Sequence, residues 1–146
     1  MSLPEPLPGL VLRYSYLWAD DAARGIEEGD KDRPAVVVLS IPGPAPQGPR
    51  VLVLPITHSP PTRGVEALMI PAAVARAAGL DAAESWVVLS EFNEFVWPGF
   101  DLRMVPHSKP ATVAYGFLTP GFFRTVRDRF LTLDATTKSR PVSRDE

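Results

Sequence analysis

The stretch RPAVVVLSI, residues 33–41, decides the fold together with its partner RVLVLPIT, residues 50–57. Each is a continuous run of branched apolar residues bounded by turn formers, which is typical of a strand buried on both faces. The segment between them, PGPAPQGP at 42–49, must be a loop, because proline donates no backbone hydrogen bond to a sheet. Together the three segments predict a long antiparallel hairpin.

The region before this hairpin predicts a strand and then a loop. Residues 9–18 read GLVLRYSYLW, in which aromatic and branched side chains recur with a partial period of two, as in a strand. Residues 20–32 are acidic and polar, and we expect them to form an exposed loop.

Further short strands are predicted after the hairpin. Residues 65–70 suit an edge strand, and residues 86–89 (WVVL) suit a buried one. Residues 101–106 (DLRMVP) alternate enough to be another strand, and a polar loop follows at 107–112.

Two helices are predicted from their end signals. In PAAVARAAGL, residues 71–80, Pro71 stands at the start and Gly79 just past the end. The second helix begins at Pro120 after the N-cap Thr119 and runs to Leu131. Its apolar residues share one face at helical spacing: Phe122, Phe123, Val126, Phe130 and Leu131.

Length and composition bound the fold class. The 146 residues suit one domain, 1–146, and 17 prolines with 10 glycines favour many short elements over a helical bundle. We expect residues 1–8 and 134–146 to be flexible tails. The predicted class is mainly β with α, a small and strongly curved sheet or barrel with a short internal helix and a C-terminal helix.

Composition also excludes several kinds of chemistry. The chain has no cysteine and two histidines, His58 and His107, which excludes disulfides, thiolate chemistry and a histidine-rich metal cage. No metal and no cofactor is therefore expected. The longest apolar stretch, residues 35–41, is too short to span a bilayer, and the N-terminus is unlike a secretory signal. We expect a cytoplasmic protein that does not enter membranes.

Charge is unevenly spread along the chain. The net charge is −2, but residues 18–33 hold six acids and three bases, whereas residues 124–146 hold six bases and four acids. A nucleic-acid-binding protein normally presents a clear basic patch. Charge alone therefore does not predict such a function.

The hairpin places polar side chains at one rim. Because the strands run antiparallel, Arg33 at the start of the first should lie near Thr57 at the end of the second. A fixed guanidinium can hold a phosphate, and a nearby hydroxyl can donate to an oxygen that gains charge during reaction. Spacing alone favours the plainer interpretation, a solvated arginine before a strand and a turn-forming threonine.

Four segments in order carry a resemblance to a known family. They are GLVLRYSYLW at 9–18, RGIEEGDK at 24–31, RPAVVVLS at 33–40 and VLVLPIT at 51–57. The segment SWVVLSEFNEF at 85–95, in which the acid Glu91 follows the third buried strand, and the helix from Pro120 also belong to the pattern. This order resembles the MazF/PemK/Kid family of toxin endoribonucleases from toxin–antitoxin systems.

The resemblance implies a fold, an activity and partners. The fold would be an SH3-like barrel of the MazF/Kid/CcdB type, and the protein would be a homodimer neutralised by a cognate antitoxin. The activity would be metal-independent cleavage of single-stranded RNA, in which the 2′-hydroxyl of the substrate attacks the adjacent phosphorus and leaves a cyclic phosphate.

The resemblance also implies roles for individual residues. Arg33 would stabilise the phosphorane, and Thr57 would bind a non-bridging oxygen. The loop acid would be Glu27 or Glu28, and Glu91 would be the acid after the third buried strand. The candidate RNA-binding residues are Lys31, Ser59 and Asn93.

His58 and the segment after Glu91 leave alternatives open. His58 would be a general base near neutral pH, or a rim histidine that points to the opposite face. Phe92, Asn93 and Glu94 stand where the family often has glutamine and a basic residue. The alternative function is therefore a non-catalytic SH3-like barrel that binds a protein, as gyrase-inhibiting relatives of this fold do.

Overall fold

A computed structural model describes residues 3–27, 29, 31–44, 47–135 and 140–145. The elements follow one another along the chain as β1 (Leu10–Ser15), α1 (Ala19–Ala23), β2 (Asp32–Ile41), β3 (Arg50–Thr57), β4 (Ala67–Met69), α2 (Ala72–Ala77), β5 (Trp86–Val88), β6 (Glu91–Val96), β7 (Ala114–Phe117), α3 (Pro120–Ala135) and β8 (Arg140–Ser143). No helix among these residues is long and apolar enough to cross a membrane.

The predicted hairpin is confirmed and forms the centre of the sheet. β2 and β3 pair antiparallel, with Val36 opposite Leu54, and most residues of both strands are buried. The register shifts by one residue between Val37 and Leu39, so β2 carries a bulge at Val38. The pairing of Ile41 with Arg50 sets the register at the loop end. Without the bulge that register would continue, and every residue of β2 before Val38 would face a partner one position further along β3.

The sheet is mainly antiparallel and is not closed. Its strand order is β4-β5-β3-β2-β1-β7, and β6 pairs with both β3 and β8. The outer edge of β3 is shared: residues 50–53 pair with β6, whereas Ile56 and Thr57 pair with β5. The predicted mainly β class with helices is therefore confirmed.

Alternating side chains of the central strands fill two cores. One face, including Val36 and Leu54, packs against helix α3 through Phe123, Val126 and Phe130. The other face packs into an aromatic cluster that contains Tyr14, Tyr16 and Phe95. The sheet is thus buried on both faces, which explains why its central strands read as continuous apolar runs.

Both predicted helices and the edge strand at 65–70 are confirmed as α2, α3 and β4. Helix α3 runs four residues beyond the predicted end, and Leu131, expected on its apolar face, is exposed. The acidic segment 20–32, expected to be a loop throughout, contains part of the five-residue helix α1.

The strand predicted at 101–106 does not form. This segment makes one isolated bridge, between Leu102 and Tyr14. The rest of the outer edge of β1 is already paired with β7, so little of that edge is left for residues 101–106. Strand β7, which takes this edge, was not predicted from the sequence.

The C-terminal segment, expected to be a flexible tail, contains strand β8. This strand pairs parallel with β6, and Val142 packs against Leu17 and Ala19. Apart from Val142, the strand is exposed and polar, so hydropathy gives no signal for it. Residues 134 and 135 continue α3.

Charged side chains attach the C-terminal segment to the rest of the fold. Arg140 pairs with Asp20 at 2.7 Å, and Asp145 pairs with Arg50 at 2.9 Å. The Arg144 guanidinium contacts Asp101 at 2.8 Å, in a pair whose side chains are only 9% and 16% exposed. Arg144 also donates to the backbone carbonyl of Glu27, which ties the acidic loop to the end of β8.

The Arg144 ion pair provides a test of this attachment. Replacing Arg144 with glutamine leaves Asp101 largely buried without its counter-charge, so we expect the free energy of unfolding to fall by about 3 kcal/mol. The matched control is Arg127→Gln, which breaks a solvent-exposed pair with Asp128 and should cost less than about 0.5 kcal/mol. Urea denaturation measures both, and equal losses would contradict the structural role of Arg144.

Candidate functional site

An open cleft of about 940 Å³ lies at the rim where β2 begins and β3 ends. It contains five of the residues singled out from the sequence: Lys31, Arg33, Thr57, His58 and Ser59. The opposite walls come from the segments around residues 60–67, 79–81 and 105–106, together with Arg13, Trp18 and Tyr115. The hairpin therefore gathers the predicted rim residues in one place.

Arg33 is held firmly in the wall of the cleft. It is only 8% exposed, and its guanidinium carbon lies 4.9 Å from the centre of the Trp18 ring. A cation over an indole face is attracted by the electron density of the ring. Trp18 thus fixes the direction of the Arg33 guanidinium before any ligand arrives.

Thr57 lies opposite Arg33 when the β2–β3 register is continued from the pairing of Ala35 with Pro55. Directly opposed residues of an antiparallel pair project to the same face of the sheet. The Thr57 hydroxyl oxygen accepts a hydrogen bond from the backbone N–H of Ser59 at 3.1 Å. Its own proton remains available for an acceptor in the cleft.

His58 uses both ring nitrogens within the protein. Nδ1 lies 2.9 Å from the carbonyl oxygen of Glu84, which can only accept, so Nδ1 carries a proton. Nε2 lies 3.4 Å from a carboxylate oxygen of Asp81. The imidazole is 55% exposed and connects the end of β3 to the segment 81–84. This arrangement favours a role in positioning that segment.

Glu91 lies on β6 and does not line the cleft. One carboxylate oxygen accepts hydrogen bonds from the Tyr16 hydroxyl at 3.2 Å and from the Ala19 backbone N–H at 2.8 Å. Burial raises the pKa of Glu91 above its ordinary value of 4.5, although these two donors act in the opposite direction. Glu91 therefore holds the chain between β1 and α1.

Asn93 is completely buried and also lies outside the cleft. Its side-chain amide donates to the backbone carbonyl of Leu17 at 2.8 Å and accepts from the Leu17 N–H at 2.9 Å. Both polar atoms are used, so the structure gives this predicted RNA-binding residue a role in packing. Of the two candidate loop acids, Glu27 is exposed, and Glu28 lies outside the described residues.

Three residues that were not predicted from the sequence also line the cleft: Arg13, Trp18 and Tyr115. Arg13 interrupts the apolar run of β1, which is the one signal that could have indicated it. Tyr115 belongs to β7, and its hydroxyl accepts a hydrogen bond from Arg13 at 3.1 Å. Its place in the cleft depends on the unpredicted pairing of β7 with β1.

The cleft has mixed charge with a small excess of cations. Arg13, Lys31 and Arg33 contribute positive charge, and Asp32 and Asp81 contribute negative charge. Asp32 is offset by Arg103, whose Nε lies 3.7 Å from its carboxylate. Within the described ranges, no three His, Asp or Glu side chains cluster in a way that could hold a metal ion.

No protein-family model, no curated protein and no solved structure matches this chain. The function proposed for it therefore rests on the residues of the cleft, on their geometry and on the resemblance in sequence.

The raised pKa of Glu91 gives a prediction for stability. Because the fold favours protonated Glu91, this residue contributes stability below about pH 4.5 that is lost as the pH rises through the raised pKa. Glu91→Gln cannot titrate at this position. We expect the free energy of unfolding of the wild type, relative to that of the variant, to increase as the pH falls from about 7 to about 4. Chemical denaturation across this range measures the difference, and a constant difference would contradict the assignment.

Proposed function

We propose that this chain is a cytoplasmic, metal-independent endoribonuclease of the MazF/PemK/Kid toxin type, with Arg33 and Thr57 at the centre of its site. The observation that carries the proposal is their position on opposing strands at the wall of one open cleft. The guanidinium is fixed by Trp18, and the hydroxyl has a proton to donate.

This pair suits cleavage in which RNA supplies its own nucleophile. The 2′-hydroxyl loses its proton and its oxygen bonds to the adjacent phosphorus. The bond from phosphorus to the 5′-oxygen breaks and that oxygen takes up a proton, which leaves a 2′,3′-cyclic phosphate and a 5′-hydroxyl. Negative charge grows on the non-bridging oxygens in between. Arg33 offers a fixed fork of donors to these oxygens, and Thr57 offers one more. Preorganised donors of this kind stabilise the transition state because they need no rearrangement during the reaction.

The proposed fold and partners follow from the resemblance to the MazF/PemK/Kid family. The antiparallel sheet, with its outer strands β5 and β6 placed end to end along β3, is compatible with an SH3-like barrel. The proposed assembly is a homodimer, and the proposed regulator is a cognate antitoxin. The proposed site is smaller than the resemblance implies, because Glu91 and Asn93 bind the chain between β1 and α1.

The test is cleavage of a long unstructured RNA by the purified protein in the presence of EDTA, with mapping of the new ends. We expect specific cuts that bear cyclic phosphates. Thr57→Val keeps the shape and removes the hydroxyl, so it should slow cleavage about 100-fold, whereas Thr57→Ser should restore most of the rate. Arg33→Gln avoids a large cavity beside Trp18 and should slow cleavage at least as much.

The matched control is Arg140→Gln, which removes an exposed arginine on β8 that is paired with Asp20. It should cut at the wild-type rate. Cleavage by Arg33→Gln at an unchanged rate would show that the site is elsewhere. An absence of cleavage across many RNA sequences would reject the nuclease and favour the protein-binding barrel.

His58 supports a separate prediction. Because both ring nitrogens face protein oxygens, we expect His58→Ala to keep the pH dependence of cleavage while loosening the segment 81–84. Rates measured from about pH 5 to about pH 9 test this. Loss of an acidic limb in the variant would instead make His58 the general base.

A further inference from the structure

A second arginine, Arg13, reaches the cleft from the middle of β1. It is half-buried, and its Nη1 donates to the Tyr115 hydroxyl at 3.1 Å. Tyr115 lies on β7, the strand paired with the outer edge of β1. The direction of the Arg13 guanidinium is thus set by a neighbouring strand, as Trp18 sets that of Arg33.

Arg13 lacks a carboxylate partner within the described part of the chain. No Asp or Glu oxygen there lies within 4.0 Å of its guanidinium, whereas Arg50, Arg103 and Arg144 each face one. A partly buried cation without a counter-charge favours an anion supplied from outside. A guanidinium has five N–H donors, and the hydrogen bond to Tyr115 uses one of them.

The β1–β2 register places the two arginines side by side but on opposite faces. Arg13 pairs with Pro34, and Tyr14 pairs with Arg33. Adjacent residues of a strand project to opposite faces, so Arg13 and Arg33 approach the cleft from the two sides of the β1–β2 pair. Two separately oriented guanidinium groups suit two separate anions.

We propose that Arg13 binds a second phosphate of the same RNA strand, next to the phosphate that is cleaved. The inference rests on the proposed nuclease function and narrows its substrate. The preferred substrate is a polynucleotide with at least one phosphate beside the scissile one, and a dinucleoside monophosphate is a poor substrate. Tyr115 is a positioning residue for Arg13.

The first experiment measures binding of an all-deoxy copy of the cleaved oligonucleotide, which lacks the attacking hydroxyl. Fluorescence anisotropy over a range of salt concentrations gives the slope of log K against log salt. For single strands this slope changes by about 0.7 per phosphate contact. We expect Arg13→Gln to make the slope shallower by about 0.7. Arg13→Lys and the remote control Arg140→Gln should both keep the wild-type slope.

The second experiment compares cleavage of two substrates, a dinucleoside monophosphate and the longer oligonucleotide. A charge-assisted hydrogen bond to phosphate is worth roughly a tenfold change in kcat/KM. We expect the kcat/KM of Arg13→Gln to fall roughly tenfold more on the longer oligonucleotide than on the dinucleoside monophosphate, mainly through a higher KM. Tyr115→Phe, which removes only the hydroxyl that orients Arg13, should show a weaker form of the same substrate-dependent loss.

The outcomes separate the two proposals. The role of Arg13 would be overturned if Arg13→Gln had an unchanged salt slope and lost equal activity on both substrates. The proposed nuclease would still stand in that case, provided that Arg33→Gln fails to cut RNA. If the wild type neither cuts RNA nor binds the deoxy oligonucleotide, both proposals fall. Should Arg13→Gln fail to fold, as judged by circular dichroism, Tyr115→Phe decides the question.

Discussion

The bulge at Val38 is the constraint on which the geometry of the cleft depends. From the loop end of the hairpin, Ile41 pairs with Arg50, and that register continued without interruption would bring Arg33 opposite His58. The extra residue on β2 shifts the pairing by one, so Thr57 takes that place. Since neighbouring strand residues face opposite sides, this one-residue shift decides which side chain shares a face with the guanidinium.

The two arginines of the cleft are oriented by aromatic residues that come from outside the hairpin. Arg33 lies over the Trp18 ring, and Arg13 is bound by the Tyr115 hydroxyl. Trp18 and Tyr115 also pack against one core each, and each limits the freedom of a long side chain. A ligand that binds arginine side chains already held in one direction does not have to offset the entropy cost of ordering them.

Local patterns predicted the hairpin, helices α2 and α3 and the pair at the rim, because apolar periodicity and cap residues depend only on residues close together in sequence. They did not predict the bulge, since Val36, Val37 and Val38 are identical residues in an unbroken apolar run. Nor did they predict that Asn93 would be buried, because its partner Leu17 is distant in sequence. Strand β8 was missed for a related reason, because its pairing with β6, ion pairs around it and the single buried side chain of Val142 hold it in place.

The link from Arg144 to the carbonyl of Glu27 joins positions 117 residues apart. Closing a chain segment of that length costs more conformational entropy than closing a short loop. The central hairpin has only a short loop to close. The pairing of Leu10 with Phe117 in the sheet spans a similar separation, so the cleft beside Arg33 is assembled from segments near both ends of the described chain.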